Sequence, residues 1–255
     1  MADVTQEQLF EFLCRMGDNT LVLGHRVSEW CGHAPVLEED IALANTALDL
    51  IGQTQMWLGL AGEVEGKGRT ADDIAMLRDV WDFRNVLLAE QPNGDFGQTM
   101  MRQFLFDAWH LAMLTALTKS THEQIAAIAA KAVKEVQYHV ERSGETVTGL
   151  GDGTSESHKR MQDALDLLWP YVGEMFVNDA IDDAMTAAGI APDVADLRAQ
   201  YDAHVTPVLA EATLMIPAGG FTHKGGKTGF QHTEHLGHLL TQMQWLQRAY
   251  PGATW

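Results

Sequence analysis

Residues 9–30 read LFEFLCRMGDNTLVLGHRVSEW, and within them Leu9, Leu13, Met16, Thr20, Leu23, Val27 and Trp30 recur at alternating steps of four and three. That rhythm places all seven on one face of an α-helix. It returns at Leu37, Ile41, Ala44, Leu48, Ile51, Gln55 and Leu58, again at Met100, Phe104, Asp107, Leu111 and Leu114, and again at Ile125, Ala129, Ala132, Val136 and His139. No stretch sustains the apolar–polar alternation that a strand needs.

The pattern predicts two long-helix pairs over roughly 5–62 and 97–149, with a shorter helix from about Thr70 to Leu88 between them. Thr121-His122-Glu123-Gln124 has the form of a capping box opening the last long helix. After the glycine-rich turn Gly149–Gly153, helical stretches follow at 157–169, 177–188, 193–214 and 232–250, with the longest loop at Gly219–Gly229. Four amphipathic stripes of this length bury most simply as a four-helix bundle. The expectation is all-α: a ferritin-like four-helix bundle with additional C-terminal helices, and a single domain over 1–255.

The chain has 255 residues, enough to bury a core without staples. Lys and Arg total 17 against 35 Asp and Glu, a net charge of −18 that repels phosphate backbones and anionic lipid. No run of eighteen apolar residues occurs, and Met1-Ala2-Asp3-Val4-Thr5 has no basic start followed by an apolar stretch. The expectation is a cytoplasmic protein that binds neither nucleic acid nor membrane.

Several motifs carry less than their spelling suggests. Gly220–Thr228 invites a phosphate-loop reading, but Phe221 occupies the first glycine position and no strand precedes it; it reads as a flexible surface loop, basic enough to meet an acidic or phosphorylated partner. His232, Glu234, His235 and His238 lack the His-Glu-x-x-His order of a zinc helix, and read as residues of a helix start. Cys14 and Cys31, seventeen apart near one helix, are about 25 Å apart along its axis and cannot bond. Both read as buried thiols.

Acids that interrupt inward stripes are more informative. Asp107 is the only charge in its stripe, Asp49 lies in a strip with Ala42, Asn45 and Gly52, and Glu29 follows Val22 and Arg26. A buried carboxylate is costly without a partner, and His25, Arg26, His110 and His139 are within helical reach. One carboxylate from each of two helices and Glu-x-x-His from each of two others hold a metal pair in a bundle. Here the second helix offers Asp49-Leu50-Ile51-Gly52, with Gly52 where a histidine belongs, and the last long helix offers Val136-Gln137-Tyr138-His139, with Val136 where a Glu belongs. Glu135 lies about 100° round the helix and is matched by Lys131. Glu29, Asp49, Gly52, Asp107, Val136 and His139 therefore read as the positions of a vestigial site, with no metal and no catalytic residue in this chain.

The chain also resembles a known family. Arg15-Met16-Gly17-Asp18-Asn19, Glu29-Trp30-Cys31-Gly32-His33-Ala34-Pro35, Ala42-Leu43-Ala44-Asn45, Glu90-Gln91-Pro92-Asn93-Gly94 and Asp107-Ala108-Trp109-His110 match the structural subunits of bacterial ring-1,2-phenylacetyl-CoA epoxidases. So do Ala130–Glu135, Gly225-Gly226-Lys227, His232–Gly237 and Leu246-Gln247-Arg248, in order from about residue 10 to Trp255. The resemblance implies a ferritin-like subunit of a multicomponent monooxygenase, stably paired with a homologous catalytic subunit that carries the di-iron centre. A small bridging subunit and a reductase with FAD and an iron–sulfur centre complete such a system, which epoxidises phenylacetyl-CoA; that substrate would sit at a shared pocket. The resemblance also points to Phe83 and Asn85, within Asp82-Phe83-Arg84-Asn85, as acyl-CoA contacts. The competing readings are an independent di-iron oxidase or oxygenase with an irregular ligand set, and a small-molecule binder on the same bundle.

Overall fold

The computed structural model describes residues 4–253. Met1 to Asp3, where the leader reading begins, and Trp255, where the resemblance ends, lie outside the described residues. Among the described residues there are ten α-helices and no strand, the make-up of the ferritin-like all-α class. They form two compact units, one of residues 4–91 with 224–253, the other of residues 92–223.

The first unit is built on the antiparallel pair α1 (Gln6–Ser28) and α2 (Leu37–Glu65). Thr5 caps α1: its hydroxyl accepts from the Gln8 amide at 3.2 Å, and the Gln8 side chain accepts from the Thr5 amide at 3.0 Å. The two helices approach closely because small residues face large ones. A Cβ at Gly17 would overlap the Leu58 side chain, and one turn on the Thr20 and Thr54 hydroxyls meet at 2.8 Å. Residues 12 to 24 of α1 are buried without a break, so the stripe read from the sequence is only part of a wholly buried segment.

On α2 the stripe read from the sequence is buried at Leu58 but lies on the wrong face from Leu37 to Ile51. Leu43, Ala47, Leu50, Trp57 and Ala61 fill the core, whereas Leu37, Ile41, Leu48 and Ile51 are exposed, Leu37 by 71% and Leu48 by 67%. Both sets keep helical spacing, and periodicity alone cannot phase a helix with two apolar stripes.

The single helix expected over Thr70–Leu88 is broken into α3 (Ala71–Leu77), a 3₁₀ turn at Val80–Asp82 and α4 (Leu87–Glu90). Side chains of α1 take over the backbone donors that a continuous helix would have used. Asp18 accepts from the Arg84 amide at 2.9 Å and Asn19 from the Val86 amide at 2.8 Å.

The second unit pairs α5 (Phe96–Leu117) with α6 (Glu123–Gly151) and adds α7 (Ser155–Leu168), α8 (Ala180–Ala187) and α9 (Leu197–Glu211). Ile125, Ala129, Ala132, Val136 and His139 are all buried along α6, as their spacing predicts. The capping box at Thr121 does not form. His122 is the N-cap without a side-chain bond, and the Thr121 hydroxyl donates instead to the Ala188 carbonyl at 3.1 Å. The last helix, α10 (Glu234–Ala249), belongs to the first unit.

Candidate functional site: buried polar clusters in each unit

Where α1 ends, Arg26 is nearly buried and donates to Glu29 at 3.3 Å, to the Glu90 carbonyl at 3.1 Å and to the His235 carbonyl at 3.2 Å. Glu29 also lies 3.9 Å from His25, so two of the basic partners expected for the inward acids, His25 and Arg26, sit beside it; its own side chain is about one-third exposed (32%). Asp49 and Gly52 are half-buried, and a Cβ at Gly52 would meet nothing within 4 Å.

The fully buried acids of this unit are two that the stripes did not single out. Asp18 forms a bidentate ion pair with Arg78, whose guanidinium also lies 4.5 Å from the Phe83 ring centre. Glu90 sits at the N-terminus of α10. Its Oε2 accepts from the Thr233 amide and hydroxyl, both at 2.7 Å, and its Oε1 accepts from Asn85 at 3.0 Å. The His232 ring joins Oε1 through Nδ1 at 2.5 Å, and its Nε2 lies 3.1 Å from the Phe83 carbonyl. An anion at a helix N-terminus is favoured by the unpaired amides there. Asp18 was legible in principle, because the strip of Val22, Arg26 and Glu29 reaches it one turn back. Glu90 was not, since it lies beyond the helix expected to end near Leu88 and in none of the apolar stripes.

Phe83 and Asn85 are both wholly buried, and neither offers a surface to an acyl-CoA in this structure. The glycine-rich loop lies at the surface, as expected, over all of Gly219–Gly229 except two residues. Gly226 and Lys227 are buried, because a glycine at 226 can rest on the Asn85 carbonyl where any Cβ would collide. Cys14 is buried and burial pushes its thiol pKa up, but Cys31 is exposed, against the reading of two buried thiols.

In the second unit the expectation of an inward acid holds. Asp107 is fully buried on α5 and accepts from the Gln103 amide at 2.6 Å and the Ser143 hydroxyl at 3.1 Å. Burial pushes its pKa up to about 6 against the pull of His139. One turn on, His110 packs against Phe106 and Trp109, with neither ring nitrogen hydrogen-bonded, and burial pushes it down to about 3. Val136 and His139 are buried on the facing helix α6, and Val136 brings no donor. The donor set does not fit a metal: in neither unit do three His, Cys, Asp or Glu side chains among the described residues gather as an ion needs. Nor, among these residues, is any helix long and apolar enough to cross a membrane.

Two long helical hairpins, with further helices and no strand among the described residues, define a helical-bundle protein of the ferritin-like kind. The chain belongs to the family described as phenylacetic acid catabolic protein, whose model matches residues 1–255. It is 48% identical to the C component of the 1,2-phenylacetyl-CoA epoxidase of Escherichia coli (strain K12), over 97% of this chain and 99% of that one.

Proposed function

We propose that this chain is the non-catalytic structural subunit of a cytoplasmic 1,2-phenylacetyl-CoA epoxidase complex in aerobic phenylacetate catabolism, and that it pairs stably with the homologous di-iron subunit. In this reading the iron is held by that partner, FAD and the iron–sulfur centre by the reductase, and the assembly is completed by a small bridging subunit. Phenylacetyl-CoA lies at a pocket shared with the partner.

The observation that carries the reading is α2, which keeps one apolar stripe for the core and presents a second, Leu37, Ile41, Leu48 and Ile51, to the outside. A regular exposed apolar face of this kind marks a protein interface. A chain of charge −18 makes a permanent contact most readily through such a face. The interface expected of an obligate pair exceeds about 2,000 Å². The ligand positions support the same reading: Gly52 and Val136 bring no donor atom, and the hydrogen bonds to Asp107 come from the Gln103 amide and the Ser143 hydroxyl. An independent oxygenase would need the donors that those two positions lack.

The test is to reconstitute the epoxidase from the di-iron subunit, bridging subunit and reductase, with and without this chain. Turnover of phenylacetyl-CoA is expected only when the chain is present, with the chain itself carrying well under one iron. Full activity without it, or close to two tightly held irons in it, would show the role to be wrong.

A further inference from the structure

Besides α2, the first unit exposes large apolar side chains along α10 and the segment beneath it. Trp245 is 59% exposed, Tyr250 56% and Leu77 53%. An open groove of about 410 Å³ is lined by Val80, Leu240 and Trp245, and a second of about 390 Å³ by Met76, Leu77 and Tyr250. The Trp245 and Tyr250 rings meet edge-on with centroids 6.2 Å apart, so the grooves share an aromatic ridge. Their floor is fixed. Arg248 bolts α10 down by donating to the Arg78 carbonyl at 2.7 Å and to Asp79 at 2.9 Å, and the buried Gln244 amide donates to the Ala75 and Arg78 carbonyls at 2.9 and 3.0 Å.

Acids outnumber cations around these grooves. Asp72, Asp73 and Asp79 line them; among the described residues Arg248 is the only lysine or arginine that does, and it is tied to Asp79. An aromatic ridge between apolar grooves with an acidic rim suits an amphipathic helix laid along α10, its apolar side chains in the grooves and its cations on the rim. A second copy of this acidic chain would set like charges against the rim. We propose that the α3–α10 face docks a basic amphipathic helix of a partner protein, at a surface separate from the α2 stripe. This assignment does not depend on the reading of α2.

The probe is a synthetic amphipathic Leu/Lys helix, with a peptide of the same composition and scrambled pattern as control. Each is titrated against the full chain while hydrogen exchange is followed. The amphipathic peptide is expected to bind at least about tenfold more tightly than the control, and to protect residues 72–81 and 237–253. Trp245→Ser and Asp72→Asn, both at exposed positions, are each expected to weaken it by about tenfold. If Trp245→Ser fails to fold, Asp72→Asn carries the same test. Equal binding of the scrambled peptide, protection on α2 instead, or unchanged affinity in a folded variant would overturn the proposal. So would a wild-type self-association that Trp245→Ser abolishes, since the occupant would then be a second copy.

Discussion

In the α1–α2 unit each fully buried acid meets a cation or several donors: Asp18 faces Arg78, and Glu90 gathers His232, Asn85 and Thr233. In the α5–α6 unit Asp107 has an amide and a hydroxyl, and His110 has neither ring nitrogen bonded. The first arrangement ties distant segments to α1 and α10, so its acids are structural bolts. The second keeps two ionisable groups out of solvent, Asp107 with a pull from His139 that burial outweighs, and His110 with nothing to hold its charged form. Burial of that kind costs stability rather than adding it.

The largest effect should come from breaking a bolt. Asp18→Ala strands the Arg78 guanidinium, and Glu90→Ala strands His232 and the α10 amide; each is expected to lower stability by about 3–5 kcal/mol in urea denaturation. A loss below about 1 kcal/mol would put these acids in the same class as Asp107.

The opposite sign is expected at Asp107. Its folded pKa of about 6 lies above the ordinary value of 3.8, so the native state holds the extra proton between those values. Stability from this group is present below about pH 4 and is lost as pH rises towards 6, at about 1.4 kcal/mol per unit. Asp107→Asn should therefore match the wild type near pH 4 and become more stable by up to about 3 kcal/mol above pH 6. His110 runs the other way. Its folded pKa near 3 is below 6.5, so the unfolded chain holds the proton in that window and stability rises with pH. His110→Phe should gain on the wild type as pH falls from 6.5 towards 3. The two slopes oppose each other in the intact chain, and melting curves of both variants across about pH 4–6.5 would separate them.

Smaller effects sharpen the picture of the α1–α2 contact. Gly17→Ala forces a Cβ into Leu58 and should cost about 1–3 kcal/mol by overpacking. Thr20→Val removes one hydroxyl of the buried Thr20–Thr54 pair and should cost about 1 kcal/mol.

These two regions also differ in how far the sequence discloses them. On α5 and α6 a single charge in an apolar stripe marks Asp107, and His139 follows in the same way on the facing helix. Both are buried where their spacing puts them. On α2 the same method fails, because Leu37, Ile41, Leu48 and Ile51 repeat as regularly as Leu43, Ala47, Leu50 and Trp57, and only packing tells core from surface. The pairing of Glu90 with His232 is hidden for another reason. The two are 142 residues apart, Glu90 at the end of the four-residue α4 and His232 just before α10, and no spacing pattern links them.

The central claim is that the outer stripe of α2 is there to hold a partner. It is tested most directly by co-expressing this chain with the homologous di-iron subunit and measuring the stoichiometry of what co-purifies, for the wild type and for Ile41→Asp with Leu48→Asp. Both positions are exposed, so the doubly substituted chain should fold and melt as the wild type does. The wild type should co-purify in equal amounts with the di-iron subunit, and the variant should lose it. Equal recovery of the partner with a folded variant would contradict the account.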